Sequence, residues 1–240
     1  MIQNFKQYGL EHIVSILIPC ILGLAYIFWG LKSKSESSSR LVRILLAITI
    51  VAIRSARYIM DIYYNRFDWF DLFSLHICHI DLILLVICLI KPSEILFNFV
   101  FLIGIPMGFA VALFPGSVHA EPGKLRAMFF IMSHMMLVTG AIYLTVVEQM
   151  KATVKYFLGF GGAGGVSLAV IYLVNLRLKT NFLYIVEAPA GTVIEKLEGL
   201  FGWPGYVLVM YVSALFLMLT MLTISKAVDR YRYCQEKLTM

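Results

Sequence analysis

Apolar residues gather along this chain into runs of about 20, long enough to cross a hydrocarbon layer about 30 Å thick as helices, and short polar connectors separate them. The runs predict seven helices, at Ile13–Leu31, Ile44–Tyr64, Leu72–Ile90, Ile95–Phe114, Leu125–Val147, Tyr156–Leu176 and Tyr206–Ser225. The first is longer than a secretory leader and lacks a small-residue cleavage pattern, so it reads as a retained span. The connector Lys32–Arg40 is polar and expected to be a flexible loop, and no repeat or second domain interrupts residues 1–240.

The sixth connection, Arg177–Trp203, is the longest and has a pattern of its own. Thr192 and Glu195 have capping-box spacing, and Val193, Ile194, Leu197, Leu200 and Phe201 share a face opposite Glu195, Lys196 and Glu198. A short helix near 192–201 is predicted, ending at Gly202-Trp203-Pro204 and lying either in the headgroup plane or over the protein itself. The expected fold is therefore all-α: a single polytopic membrane domain of seven transmembrane helices plus this interfacial helix.

Composition agrees with the pattern. Charged residues make up 14% and apolar residues 60% of the chain, against about a quarter charged in soluble domains. The net charge of +6 would suggest nucleic acid in a soluble protein. Here the basic residues mostly lie between apolar runs, where they set topology and meet lipid headgroups, and no nucleic-acid partner is expected. Lys32, Lys34, Arg40, Arg43, Lys91, Lys151, Lys155, Lys226, Arg230, Arg232 and Lys237 outnumber the basic residues at the opposite ends. That side is expected to be cytoplasmic in the cell membrane, with the N-terminus outside and the C-terminus inside. Four cysteines without paired spacing make neither a disulfide scaffold nor a zinc framework.

Ionisable residues at membrane depth are costly and mark candidate sites. The spans hold Arg54, Arg57, Asp61, His76, Cys78, His79, Asp81, His134 and Asn175. At the helical rise, Cys78 lies roughly 9 Å from the outer edge, Asp81 and His134 roughly 13 Å, and Arg54 roughly 15 Å. The outer connections add His119, Glu121, Asn181 and Glu187, so the polar inventory converges on an outward cavity. Helical spacing puts Cys78 with Asp81 and His76 with His79 on separate faces.

Cys78 and His134 have the chemistry of a nucleophile and its base, with Asp81 placed to orient the imidazole. Two plainer alternatives stand beside that pair: Cys78 as a small buried hydrophobe like Cys20 and Cys88, and His134 as a helix-to-helix hydrogen bond. Ser133 points elsewhere on its helix. His76, His79, His134 and Asp81 also have metal-ligand chemistry. Arg54 and Arg57 either neutralise Asp81 or Asp61, with Arg57 and Asp61 at i, i+4 spacing, or bind a lipid phosphate. Gly161 and Gly165 fit small-xxx-small helix packing, and no Lys-Ser/Thr follows to make a phosphate loop.

Three stretches carry a resemblance: Leu75-His76-Ile77-Cys78; Gly108 through Phe114, Pro115 and His119 to Ser133-His134; and Asn175 with Asn181-Phe182-Leu183-Tyr184 and Pro189-Ala190-Gly191. In this order, over roughly Asp71 to Tyr206, they resemble the YwaF-type family of bacterial integral membrane proteins. The eukaryotic relatives of that family are transmembrane acyltransferases of ether-phospholipid remodelling. The resemblance implies fatty acyl transfer with Cys78 as nucleophile and His134 as base, and Asn175, Asn181 and Tyr184 lining the site. Two positions depart from the family pattern: Ser74 stands where a proline is usual, and Asn181-Phe182-Leu183-Tyr184 replaces N-Y-M-Y.

The expected activity is a coenzyme A-independent lipid acyltransferase working through a Cys78 thioester. His76 or Asn181 would stabilise the oxyanion, and Arg54, Arg57, His119, Asn175 and Tyr184 would contact substrate. Its partners would be membrane phospholipids and a lysolipid or alcohol acceptor, with no cofactor or metal. The rivals are a lipid-binding or transport protein using the same cavity without covalent chemistry, and a metal- or haem-linked redox protein through the histidines.

Overall fold

The computed structural model describes residues 5–65, 67, 75–114 and 123–239. It comprises helices α1 (Leu10–Lys32), α2 (Glu36–Tyr63), α3 (Ile77–Ile90), α4 (Glu94–Leu113), α5 (Lys124–Val146), α6 (Val154–Leu178) and α7 (Val193–Thr239), and no strand occurs among the described residues. The middle turn of α4, Val100–Gly104, is π-helical. Five helices, α1, α4, α5, α6 and α7, are long and apolar enough to cross a membrane, and α3 is a shorter apolar helix. The chain is a multi-pass membrane protein. Helix α2 differs from these five because Arg40, Arg43, Arg54, Arg57 and Asp61 interrupt it, yet Leu46, Ala47 and Ile50 are buried in the core.

Three boundaries depart from the sequence expectation. Helix α2 starts at Glu36, not Ile44, because the Ser35 side chain caps it by accepting from the Ser38 amide at 3.2 Å, so most of the supposed flexible connector is helical. Helix α3 starts at Ile77, not Leu72, with Leu75 and His76 non-helical before it. Helix α7 runs through the polar tail to Thr239, where the Arg232 guanidinium donates to the Thr145 carbonyl at 2.7 Å.

Helix α5 is the central post. Of its most apolar stretch 78% is buried, against 22% for α1, 11% for α7 and 6% for α6. Met136, Leu137 and Leu144 of α5 pack with Leu46 and Ile50 of α2, Leu85 and Leu89 of α3, and Phe97 and Phe101 of α4 in one cluster. Missing side chains make the closest approaches possible. A Cβ on Gly108 would meet the His134 carbonyl oxygen at 2.8 Å, and one on Gly140 would meet Leu85 Cδ2 at 2.7 Å.

Helices α6 and α7 form an outer pair. Gly161 and Gly165 meet Leu215 and Tyr211 as small-xxx-small packing requires, and the Tyr211 hydroxyl donates to the Gly161 carbonyl. At the end carrying the α1–α2 connection, Arg43 pairs with Glu148 at 2.8 Å. Buried Asn98 there ties the α5–α6 connection by accepting from the Thr153 amide at 2.9 Å.

The predicted short helix is present as residues 193–201 of α7. Thr192 Oγ1 accepts from the Glu195 amide at 3.3 Å, and the return bond from Glu195 reaches the Gly191 amide at 2.6 Å. The helix breaks at Gly202, where φ is 63°, a conformation glycine adopts without penalty. Val193, Leu200 and Phe201 are exposed while Ile194 and Leu197 are part-buried, so this apolar face is only partly covered by the described residues.

Candidate functional site

The late start of α3 defines the site. His76 is extended, with φ −64° and ψ 127°, so Cys78 falls in the first turn of α3 and not several turns inside a span. Cys78 is part-exposed, whereas Cys88 on the same helix is wholly buried with its thiol near the Ser93 carbonyl at 3.7 Å. The two cysteines therefore have different surroundings despite similar sequence settings.

His134 is wholly buried on α5. Its Nδ1 lies 2.8 Å from the Phe130 carbonyl oxygen. A carbonyl only accepts, so Nδ1 carries the hydrogen and a neutral ring has its lone pair on Nε2. That Nε2 is buried without a hydrogen-bond partner among the described residues. The Phe130 carbonyl, not Asp81, thus orients the imidazole. The Asp81 carboxylate is wholly buried, makes no hydrogen bond among the described residues, and sits against Gly104, whose added Cβ would lie 3.3 Å from Asp81 Cγ. Ser133 donates to the same Phe130 carbonyl at 2.8 Å and so stays on its own helix.

The expected pairing of Arg57 with Asp61 is replaced by another. Asp61 is bound by Arg126, and both are buried. Arg57 instead lies over the Phe130 ring, 5.2 Å from its centroid, and its Nε and Nη1 have no partner among the described residues. Arg54 donates from Nη2 to the Tyr58 hydroxyl at 2.9 Å and to His79 Nε2 at 2.7 Å, while its Nη1 is unpartnered. Since a guanidinium only donates, His79 Nε2 is the acceptor. Arg54 thereby reaches the residue next to Cys78, and Arg57 lies over the residue whose carbonyl holds His134.

The sixth connection closes against α3. The His76 ring lies 5.0 Å from that of Tyr184 and 5.8 Å from that of Phe182, and its Nδ1 accepts from the Leu183 amide at 3.4 Å. Leu183 and Tyr184 have φ of 60° and 55°, left-handed conformations that cost non-glycine residues about 1–3 kcal/mol each. Several anchors hold them there. Buried Asn175 donates to the Phe182 carbonyl and accepts from the Phe182 amide, at 2.9 and 2.8 Å. The Tyr206 hydroxyl donates to the Tyr184 carbonyl at 2.9 Å, and Trp203 Nε1 to the Ile185 carbonyl at 3.1 Å.

Asn175 is therefore occupied in building the loop. Asn181 is too: its amide donates to the Glu187 carbonyl at 2.7 Å and its oxygen accepts from the Val186 amide at 3.2 Å. Both side chains thus bond the loop's own backbone, and the Tyr184 ring lies beside His76. His119 and Ser74 lie outside the described residues. His76, His79, His134 and Asp81 do not gather into a metal-ligand set among the described residues.

Three contributors escaped the sequence reading: His79 as partner of Arg54, Phe130 as both carbonyl and ring, and Arg126 as partner of Asp61. Arg126 had a legible signal. It lies two residues inside the start of α5 and Asp61 two inside the end of α2, the same level in antiparallel helices.

Residues 7–222 match the TMEM164 family, and the chain belongs to it. No curated protein matches the sequence. No solved structure matches it either.

Proposed function

Within the TMEM164 family, we propose that this protein is a membrane-embedded lipid acyltransferase working through a thioester on Cys78 with His134 as base, independent of coenzyme A. The observation that carries the reading is His134: fully buried, fixed by the Phe130 carbonyl through Nδ1, and presenting an unpartnered Nε2. Cys78, in the first turn of the neighbouring helix α3, supplies a nucleophile of the right kind. The resemblance of Leu75–Cys78 and Ser133-His134 to YwaF-type proteins supports the same pair.

His134 Nε2 takes the thiol proton, and Sγ attacks an ester carbonyl of a phospholipid. The tetrahedral intermediate collapses with cleavage of the carbon–oxygen bond, and His134 returns the proton to the departing lysolipid. A lysolipid or alcohol hydroxyl then gives its proton to His134 and attacks the thioester. The carbon–sulfur bond breaks and the thiol is restored. All seven helices span the bilayer in this reading, with the N-terminus outside, the Cys78 end of α3 outward, and residues 193–201 in the headgroup layer.

Intact-protein mass spectrometry after incubation with bilayer lipids tests the proposal. An acyl-sized increment on the wild type, absent from Cys78→Ala and removed by hydroxylamine, is expected. No increment on the wild type, incubated with phospholipid and without an added acceptor, would sink the thioester and favour a lipid carrier.

A further inference from the structure

Arg57 is 4% exposed and Arg54 part-exposed, and between them Arg57 Nε and Nη1 and Arg54 Nη1 have no hydrogen-bond partner among the described residues. Buried cations in apolar surroundings require a counter-ion. Among the described residues, the buried carboxyl groups do not supply one: Asp61 is bound to Arg126, Glu148 to Arg43, and Asp81 sits against Gly104 without a hydrogen bond. Tyr58 and His79, the polar neighbours of Arg54, are neutral acceptors.

We propose that Arg54 and Arg57 form a binding site for a singly charged phosphodiester, the phosphate of a membrane phospholipid. The two guanidiniums are cationic at all times, so the balancing anion is a resident one and not an oxyanion formed during a reaction. Guanidinium forks suit phosphate oxygens. Around this layer α2 exposes Val51, Ile59 and Ile62, so the molecules that reach it from the side are lipids. Arg54 bonds His79, the residue after Cys78, and Arg57 lies over Phe130, whose carbonyl holds His134, so a headgroup held here is carried by the same two elements as the candidate reacting groups. The inference rests on the acyl-transfer reading for its purpose and names how the donor lipid is held.

The test needs no turnover. Full-length Cys78→Ala protein in a non-ionic detergent is titrated with dihexanoylphosphatidylcholine, with dihexanoylglycerol, and with inorganic phosphate. The phospholipid is expected to bind at least about tenfold more tightly than the diacylglycerol, the size of one charge-assisted hydrogen bond. Arg57→Gln should remove that preference, Arg57→Lys should lose part of it, and neither should change diacylglycerol binding. Arg54→Gln, at a part-exposed position, repeats the test if Arg57→Gln does not fold.

Equal affinity for phospholipid and diacylglycerol, or an unchanged preference in the folded arginine variants, overturns the proposal. Inorganic phosphate binding as tightly as the phospholipid assigns the site to the free anion and overturns the lipid source. A wild type that forms no thioester while this binding pattern holds would reject the acyl-transfer reading and keep the phosphate site. The converse result would do the opposite.

Discussion

Helices α1 to α5 and the outer pair α6–α7 are built from similarly apolar sequence and do different things with it. The first set wraps α5 until more than three quarters of that helix's apolar stretch is buried; the second buries only about a tenth of its own. Burial and polarity go together. The wrapped bundle encloses Arg57, Asp61, Asp81, Arg126 and His134, whereas α6 buries a single polar side chain, Asn175. Polar groups survive at membrane depth only where neighbouring helices shield them from lipid. Among the described residues, the outer pair reaches the site through the 181–187 loop, which Tyr206 and Asn175 hold against His76.

The largest expected effect tests that contrast through charge. Asp61→Ala removes the carboxylate from the buried pair with Arg126 and should destabilise the protein by about 3–5 kcal/mol, read as reversible unfolding in detergent. Lys151→Ala breaks the ion pair with Asp229, 3.7 Å across and with the lysine 58% exposed, and should cost about 0–1 kcal/mol. Equal effects would mean that the wrapped bundle gives its charges no special shielding.

Glycines extend the contrast with a change of sign. Gly108→Ala drives a methyl group against the His134 backbone oxygen, which cannot swing aside as a side chain does, and should cost about 1–3 kcal/mol. Gly162→Ala on α6 meets nothing within 4 Å and should stabilise by about 0.5–1 kcal/mol, because glycine weakens a helix interior. Stabilisation by Gly108→Ala would show that α4 and α5 do not approach as closely as described.

The helices were legible because a span of about 20 apolar residues leaves few alternatives. Their ends were less so. Ser35 caps α2 before the apolar run begins, and the polar tail of α7 is extended by helix propensity and the Arg232 bond, neither of which alters the hydrophobic pattern. Within the site, depth at 1.5 Å per residue ranks Arg54, Asp81 and His134 along their helices but carries no azimuth. Asp81 therefore read as a partner for His134 although it faces Gly104. The orienting group, a Phe130 carbonyl, carries no side-chain signal at all. Asn175 and Asn181 read as site-lining because a short motif records that a residue is needed there, not whether it touches ligand or holds a loop.

Asn175→Ala probes the reach of the outer pair. It strips the Phe182 amide and carbonyl of their shared partner, a loss of about 1–3 kcal/mol. The loss should appear as faster hydrogen exchange at 180–184 with exchange along α5 unchanged. Spread of the effect into α5 would mean that loop and bundle unfold together.

The most local effect belongs to Tyr206→Phe. Its ring is wholly buried and stays so in phenylalanine, and only the bond from its hydroxyl to the Tyr184 carbonyl is lost, worth about 0.5–1.5 kcal/mol. That bond helps hold Tyr184 at φ 55°, with its ring 5.0 Å from that of His76. Relaxing the backbone toward ordinary φ recovers part of the strain, so unfolding should shift by no more than the bond itself while exchange at 183–186 accelerates. If the loop serves only to close the fold, the rate of adduct formation on Cys78 stays at the wild-type value. If it positions His76 for the proposed chemistry, that rate falls while phospholipid binding at Arg54 and Arg57 stays constant, which separates the contribution of the outer pair from that of the bundle.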